Sequence, residues 1–195
     1  MNKSFLFLTG MSGTGKSWFW QNVVGPAGKF RKIVSATTRG PRSGEQEGVD
    51  YYFRNEAFFD SSEFAVKLFV NEAFWKEGEP KWLYGIEEAE IDRLRGENLT
   101  YDCIEPKYVR AVMDWCGAHG RKYDFKIAYF LNSPEDTSVV QSRANMRNDM
   151  LIRSRNTCSP RDFLRAGIHP DWFMLSSAKD SLFDRRFADW LARVE

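Results

Sequence analysis

Short apolar runs recur along the chain and alternate with stretches whose apolar residues follow the helical period. The runs predict strands over residues 4–9, 32–35, 50–53, 68–71, 99–104, 125–131 and 171–176. The periodic stretches, several bounded by Gly or Pro, predict helices over 16–24, 87–95, 106–115, 132–147 and 181–194. Strands that alternate with helices predict an α/β fold, a parallel sheet with helices on both faces.

The first predicted strand runs directly into a glycine-rich segment. Its sequence is Gly10-Met11-Ser12-Gly13-Thr14-Gly15-Lys16-Ser17, which fits the phosphate-binding pattern G-x-x-x-x-G-K-[ST] at every fixed position. In such a loop the glycines let backbone N–H groups turn toward an anion, and the following helix points its positive end at that anion. The sequence therefore predicts binding of a nucleoside triphosphate by Gly10, Ser12, Gly13, Thr14, Gly15, Lys16 and Ser17, with Lys16 on the terminal phosphates and the Ser17 hydroxyl on Mg²⁺.

A second anion site is predicted in residues 37–49, which lack a helical period and read as an exposed loop. Arg39 and Arg42 lie three residues apart there, close to the hydroxyl of Ser35. Guanidinium groups chelate phosphate oxygens, and the phenol of Tyr51 can donate to the same group. We interpret the segment as a site for an acceptor monophosphate, although a solvated basic loop would be the ordinary reading of an isolated Arg-x-x-Arg pair.

Residues 35–53 resemble the signature of the guanylate kinase family, S-x-T-T-R-x-P-R-x-G-E-x-x-G-x-x-Y-x-F. The resemblance implies a P-loop kinase fold with a small inserted acceptor-binding subdomain (35–86), a lid (about 143–159) and a core formed by 1–34, 87–142 and 160–195. It also implies that the acceptor phosphate is held by Ser35, Arg39, Arg42, Tyr51 and, through a match of Leu83-Tyr84-Gly85 to the family's Tyr-Tyr-Gly, Tyr84.

The groups expected to assist phosphoryl transfer are positively charged. Arg143 and Arg147 resemble the family's R-L-x-x-R at the start of the lid, and Arg153 and Arg155 follow closely. Transfer needs positive charge around the moving group, so these arginines and Lys16 are the catalytic candidates, against the alternative of a solvated helix face. Asp102, at the end of a predicted strand, is a candidate to hold Mg²⁺ through water together with Ser17.

The positions that read guanine in the family are changed. Asn71 stands where the family has Glu, Ile86 where it has Ser or Thr, and Ile104 where it has the second Asp of L-D-x-D. Glu72 lies one residue along and would face the other side of a strand. This set predicts a nucleoside monophosphate kinase whose base choice is shifted from GMP toward dTMP or a modified pyrimidine.

Alternatives to that function remain. An error of register in this region would leave an ordinary guanylate kinase, with Glu72 reading guanine. A related kinase could act on a phosphorylated sugar, although the complete loop through Tyr51 favours a nucleotide. A catalytically inactive, guanylate-kinase-like binding module is a further alternative, but such modules typically lose the P-loop, which is intact here.

Composition narrows the partners and the location. With 28 Lys and Arg against 27 Asp and Glu, the net charge is +1, which argues against a nucleic-acid binder. The longest early apolar run, 5–8, is far too short to cross a membrane. The cysteines, Cys103, Cys116 and Cys158, are odd in number and lack metal spacing, as expected for a reduced cytoplasmic protein. We expect small-molecule nucleotides as partners and leave monomer and homodimer open.

Overall fold

The computed structural model describes residues 2–11, 13–69, 77–78, 80–103, 105–132, 159–176, 181–182 and 185–195. The chain divides into two compact units, of which the first is Met1–Arg31 with Glu97–Glu195 and the second is Lys32–Gly96. The second unit includes residues 35–86, the range that the resemblance assigns to the acceptor-binding subdomain.

The strands in chain order are β1 (Lys3–Gly10), β2 (Arg31–Lys32), β3 (Ala36–Thr37), β4 (Tyr52–Phe53), β5 (Phe64–Phe69), β6 (Leu83–Glu87), β7 (Leu99–Cys103), β8 (Tyr123–Asn132), β9 (Trp172–Ser176) and β10 (Ser181–Leu182). The helices are α1 (Lys16–Phe19), continued by a π-helical turn over Trp20–Val24, then α2 (Glu56–Ser61), α3 (Glu88–Arg93), α4 (Pro106–Ala118), α5 (Pro160–Ala166) and α6 (Arg185–Arg193).

The first unit is built on a six-stranded sheet in the order β10-β9-β8-β1-β7-β2. β1 pairs in parallel with both β7 and β8, and β8 pairs in parallel with β9. Only the β9–β10 pair among those with a described register is antiparallel. The predicted α/β class with a mostly parallel sheet flanked by helices is therefore confirmed, and β1 lies inside the sheet, where its C-terminal end delivers the glycine-rich loop.

An apolar core packs on one face of this sheet. It joins β1, α1, β8, β9 and α6 through the buried side chains of Leu6, Leu8, Phe19, Phe130, Trp172, Met174 and Phe187, among others. The ring of Phe19 lies 5.2 Å from that of Phe130 and 5.1 Å from that of Phe187. The helix that begins at Lys16 is therefore fixed to the sheet by its own buried face, which also fixes the loop before it.

The C-terminal segment differs from the sequence expectation. One helix was predicted over 181–194, but Ser181 and Leu182 pair with Ser176 and Leu175, and the described helix spans Arg185–Arg193. Pairing with β9 supplies hydrogen bonds that outweigh the helical pattern of these two residues. Helix α5 was not predicted, and the helix predicted over 132–147 lies almost wholly outside the described residues.

The second unit contains a four-stranded mixed sheet in the order β4-β3-β6-β5. β3 pairs in parallel with β4 and antiparallel with β6, and β6 pairs antiparallel with β5. Neither β6 nor α2 was predicted, since Gly85 interrupts the apolar pattern of β6 and α2 covers less than two turns. Helix α2 is nevertheless well started, because the Asn55 side chain accepts from the Phe58 N–H at 2.9 Å.

None of the helices among the described residues has the length and apolar character that a membrane span needs.

Cys116 is a free, buried cysteine, and burial raises the pKa of its thiol to about 11. It is protonated at neutral pH, as expected of a core thiol without a chemical role.

Candidate functional site: two phosphate-binding regions

The turn after β1 requires glycine. Gly10 adopts a φ of 143°, and a Cβ atom there would lie 2.6 Å from the Phe130 carbonyl oxygen on β8. Gly15, the N-cap of α1, has a φ of 90° in the left-handed region. Both positions have a backbone conformation that side chains disfavour, and Gly10 also lets the chain pass close to β8, so the loop depends on its glycines.

Lys16 is held inside this loop. Its Nζ donates to the carbonyl oxygens of Gly10 and Met11, both at 2.8 Å, and the side chain is almost fully buried. The Thr14 hydroxyl donates to the Met11 carbonyl at 2.8 Å and closes the same turn. A positive charge is thereby fixed among backbone groups, which is the arrangement that the motif predicts for a polyphosphate site.

The two residues predicted to hold Mg²⁺ border Lys16. Ser17 follows it in α1 and is exposed, and Asp102 on β7 places Oδ1 3.8 Å from Lys16 Nζ. A hydroxyl and a partly exposed carboxylate are oxygen ligands of the type that Mg²⁺ takes. No group of three or more His, Cys, Asp or Glu among the described residues is placed to hold a metal. Two oxygen ligands suit an ion such as Mg²⁺, which keeps water and substrate phosphates as its other ligands.

In the second unit, Arg39 is the centre of the predicted acceptor site. Its side chain is buried, Nε donates to the Tyr84 hydroxyl at 3.1 Å, and Nη2 donates to both carboxylate oxygens of Glu45 at 2.9 Å. Nη1 donates to the Gly40 carbonyl at 2.6 Å. Burial works to lower the pKa of Arg39, but its contacts with Tyr84 and Glu45 outweigh burial and raise that pKa. The guanidinium is a permanent, oriented cation.

Two tyrosines flank that cation. The Arg39 guanidinium lies 5.2 Å from the centroid of the Tyr51 ring, and the Tyr51 and Tyr84 rings meet edge to face at 5.8 Å. Tyr84 is brought there by β6, because Thr37 on β3 pairs with Tyr84. The structure thus brings together Arg39, Tyr51 and Tyr84, which the sequence had assigned to one site from separate segments.

The other predicted acceptor residues lie beside this group. Arg42 donates its backbone N–H to Glu45 Oε2 at 2.8 Å, and its Nη1 lies 3.6 Å from Glu45 Oε1. Ser35 is buried just before β3, and its carbonyl accepts from the Tyr52 N–H at 3.0 Å. Both residues therefore belong to the same folded segment as Arg39.

Glu45 is the residue that sequence reasoning passed over. It lies within the family signature but was given no role, yet its carboxylate accepts hydrogen bonds from the Arg39 side chain and from the Arg42 backbone N–H. The signal was present in the sequence as a carboxylate three residues after the second arginine of a basic loop. Two arginines close together in a loop repel each other, so an anion is needed to hold them there before substrate binds.

Of the positions predicted to read the base, Ile86 is the one that the structure describes. It lies on β6 with only 1% of its surface exposed and alternates onto the same face as Tyr84. Asn71, Glu72 and Ile104 lie outside the described residues, as do Ser12 of the P-loop and the lid arginines Arg143, Arg147, Arg153 and Arg155.

Comparison with known proteins assigns the family. The family model for guanylate kinase matches residues 2–99, which is half of the chain and includes both predicted phosphate-binding regions. The chain belongs to the guanylate kinase family. The resemblance that the signature of residues 35–53 carried is confirmed.

Known guanylate kinases match this chain over different shares of its length. A guanylate kinase of Granulibacter bethesdensis is 46% identical over 56 residues, which cover 29% of the chain but only 26% of that relative. A guanylate kinase of Caulobacter vibrioides is 29% identical over 97% of the chain and 86% of the relative. The crystal structure of guanylate kinase from Anaplasma phagocytophilum matches with a TM-score of 0.52 at 16% identity, over 99% of this chain and 84% of that one. That likeness supports the fold.

Proposed function

We propose that this guanylate kinase family member transfers the γ-phosphoryl group of ATP to a nucleoside monophosphate. The observation that carries the proposal is that one chain holds both an intact P-loop around Lys16 and an arginine-tyrosine group around Arg39. A binding module would need neither a triphosphate loop nor a second phosphate clamp.

The P-loop supplies the donor side. Lys16 Nζ, now bonded to two loop carbonyls, is placed to exchange them for terminal phosphate oxygens. Ser17 and Asp102 are the residues that would hold Mg²⁺, directly or through water. When bound, the ion neutralises charge on the phosphates.

The arginine-tyrosine group supplies the acceptor side. Arg39 and Arg42 neutralise the monophosphate, and the hydroxyls of Tyr51, Tyr84 and Ser35 donate to its oxygens. An oxygen of that phosphate attacks the γ-phosphorus, the bond from the γ-phosphorus to the bridging oxygen breaks, and ADP leaves. The attacking phosphate is already anionic, so no general base is needed. Arg143, Arg147, Arg153 and Arg155 are proposed to add charge during transfer.

GMP or dGMP is the acceptor we propose, because the relatives found carry the name guanylate kinase. None of them supports the shift toward dTMP that the sequence favoured. One observation keeps a dTMP-like acceptor as the second candidate: Ile86 is a buried aliphatic side chain at a position expected to bear a hydroxyl. A guanine donor left unpaired in a buried site costs on the order of 1–3 kcal/mol.

A coupled ADP-release assay with ATP and Mg²⁺ tests both the reaction and the base. We expect turnover with GMP or dGMP to exceed that with dTMP, dUMP, dCMP and dAMP in kcat/KM. If dTMP is preferred, the Ile86→Thr variant should move selectivity back toward GMP. Absence of ADP release with every acceptor, from folded protein, would contradict the kinase assignment and favour a binding module.

We also propose, from the cysteine content, that the protein acts in the cytoplasm.

A further inference from the structure

A buried carboxylate outside the recognised motifs lies under the acceptor site. Glu90 in α3 is only 4% exposed, and both of its oxygens accept hydrogen bonds. Oε1 accepts from the Val34 N–H at 3.1 Å and from Arg93 Nη2 at 3.0 Å. Oε2 accepts from Arg93 Nε at 3.0 Å and from the Tyr52 hydroxyl at 3.5 Å. A buried charge with this many donors is specified by its surroundings, since an unpaired one would be costly.

The backbone and hydroxyl donors to Glu90 are chain neighbours of acceptor-site residues. Val34 immediately precedes Ser35, and Tyr52 immediately follows Tyr51. The two segments are also joined directly, because the Tyr52 N–H donates to the Ser35 carbonyl at 3.0 Å. Glu90 therefore anchors, from a third segment, the two strand ends that present Ser35 and Tyr51.

Through Tyr51, the anchoring by Glu90 also reaches the guanidinium of Arg39. The Tyr51 ring lies under Arg39 at 5.2 Å and against Tyr84 at 5.8 Å. A shift of Tyr51 would change the surface on which Arg39 rests. Arg93 completes the arrangement from the solvent side: its side chain is 57% exposed, and its bond to Glu90 raises the pKa of Arg93.

We infer that Glu90 is a positioning residue for acceptor-phosphate binding, acting through Val34 and Tyr52 on Ser35 and Tyr51. The inference rests on the proposed function, because it concerns affinity for the monophosphate. Its mechanism is preorganisation: the carboxylate holds two segments in place before substrate binds, so less ordering is required at the moment of binding.

Glu90→Gln is the sharpest variant because it keeps the size of the side chain. In either orientation its NH₂ group faces an N–H of the Arg93 guanidinium, and in one orientation it also faces the Val34 N–H, so a donor meets a donor. We expect the KM for the monophosphate to rise about tenfold, with the KM for ATP unchanged within about twofold. A role in stability alone would reduce the folded fraction and the apparent kcat, and would leave both KM values unchanged.

Two further variants make the test independent of the folding of Glu90→Gln. Arg93→Ala removes two donors from Glu90 at a largely exposed position, and we expect a smaller rise in the same KM, about threefold. Asp92→Asn, an exposed carboxylate in the same helix, is the matched control and should behave as wild type. Unchanged monophosphate KM in every folded variant of Glu90 and Arg93 would overturn the inference.

The wild-type protein separates this inference from the proposed function. If it shows no phosphoryl transfer with any monophosphate, the kinase proposal fails first. Isothermal titration with GMP and no ATP then decides the positioning role alone, since we expect Glu90→Gln to bind it about tenfold more weakly. Equal affinity of the two proteins overturns the role of Glu90 whatever the activity.

Discussion

The two regions proposed to bind phosphate are built in different ways. The P-loop is a run of eight neighbouring residues whose contacts are mostly to its own backbone: Lys16 to Gly10 and Met11, and Thr14 to Met11. The predicted acceptor site instead collects side chains from β6 and from the loop between β3 and β4, and bonds them to each other. A local turn can be read from consecutive residues, whereas a clamp assembled from several segments depends on the sheet that joins them.

The difference also lies in how charge is held. Lys16 sits among carbonyl dipoles with one carboxylate at 3.8 Å, whereas Arg39 is bound by both oxygens of Glu45. A lysine ammonium on a flexible stem can exchange carbonyls for phosphate oxygens, while a planar guanidinium keeps a fixed orientation. We therefore expect substitutions in the P-loop to affect turnover and substitutions in the clamp to affect acceptor affinity.

The largest effect should follow Lys16→Ala. The variant loses the charge that meets the transferring group, and we expect kcat to fall on the order of a hundredfold to a thousandfold with the fold intact. Steady-state ADP release measures this, with circular dichroism as the check on folding. Lys122→Ala removes an exposed lysine and serves as the control. Turnover like that of wild type would remove Lys16 from the mechanism.

Arg39→Ala and Arg42→Ala should instead raise the monophosphate KM. A charge-assisted bond to phosphate contributes roughly 1.5–3 kcal/mol, which corresponds to a rise of about tenfold or more. Arg39, which is buried and oriented by Tyr84 and Glu45, should have the larger effect. The exposed Arg95→Ala is the control, and ATP KM should stay constant throughout. If neither arginine changes monophosphate kinetics, the loop binds something else.

What could be predicted from the sequence follows the same division. The parallel sheet, the P-loop and the helix from Lys16 depend on neighbouring residues and apolar runs, and these were predicted. Strand β6, which carries Tyr84 and Ile86, is interrupted by Gly85 and is ordered by pairing with β3 and β5, so no local pattern marked it. The roles of Glu45 and Glu90 depend on contacts across the fold, which spacing along the chain does not encode.

Glu45→Gln tests whether the clamp needs its internal anion. The amide keeps one acceptor oxygen but loses the charge shared between Arg39 and Arg42, so we expect a rise of about fivefold in monophosphate KM. Kinetics at fixed ATP measure this, and the exposed Glu63→Gln is the control. A fall in KM would instead mean that Glu45 competes with the substrate phosphate for Arg39.

The smallest effect is expected at the start of α5, which lies far along the chain from both regions. Ser159 and Asp162 form a capping box at the start of α5, where the Ser159 N–H and hydroxyl both donate to Asp162 Oδ2, at 2.8 and 2.7 Å. These bonds hold the pKa of Asp162 below its ordinary value, so the carboxylate stabilises the fold above its unfolded-state pKa of about 4. That contribution is lost as pH falls through the lower, folded-state pKa.

Asp162→Asn should therefore lower the free energy of unfolding by about 1 kcal/mol at pH 7, and the deficit should shrink below about pH 4. Urea unfolding at pH 7 and pH 3 measures this against the exposed Asp189→Asn, with kcat and both KM values unchanged. A deficit that stays constant with pH would show that the carboxylate charge has no part in the cap.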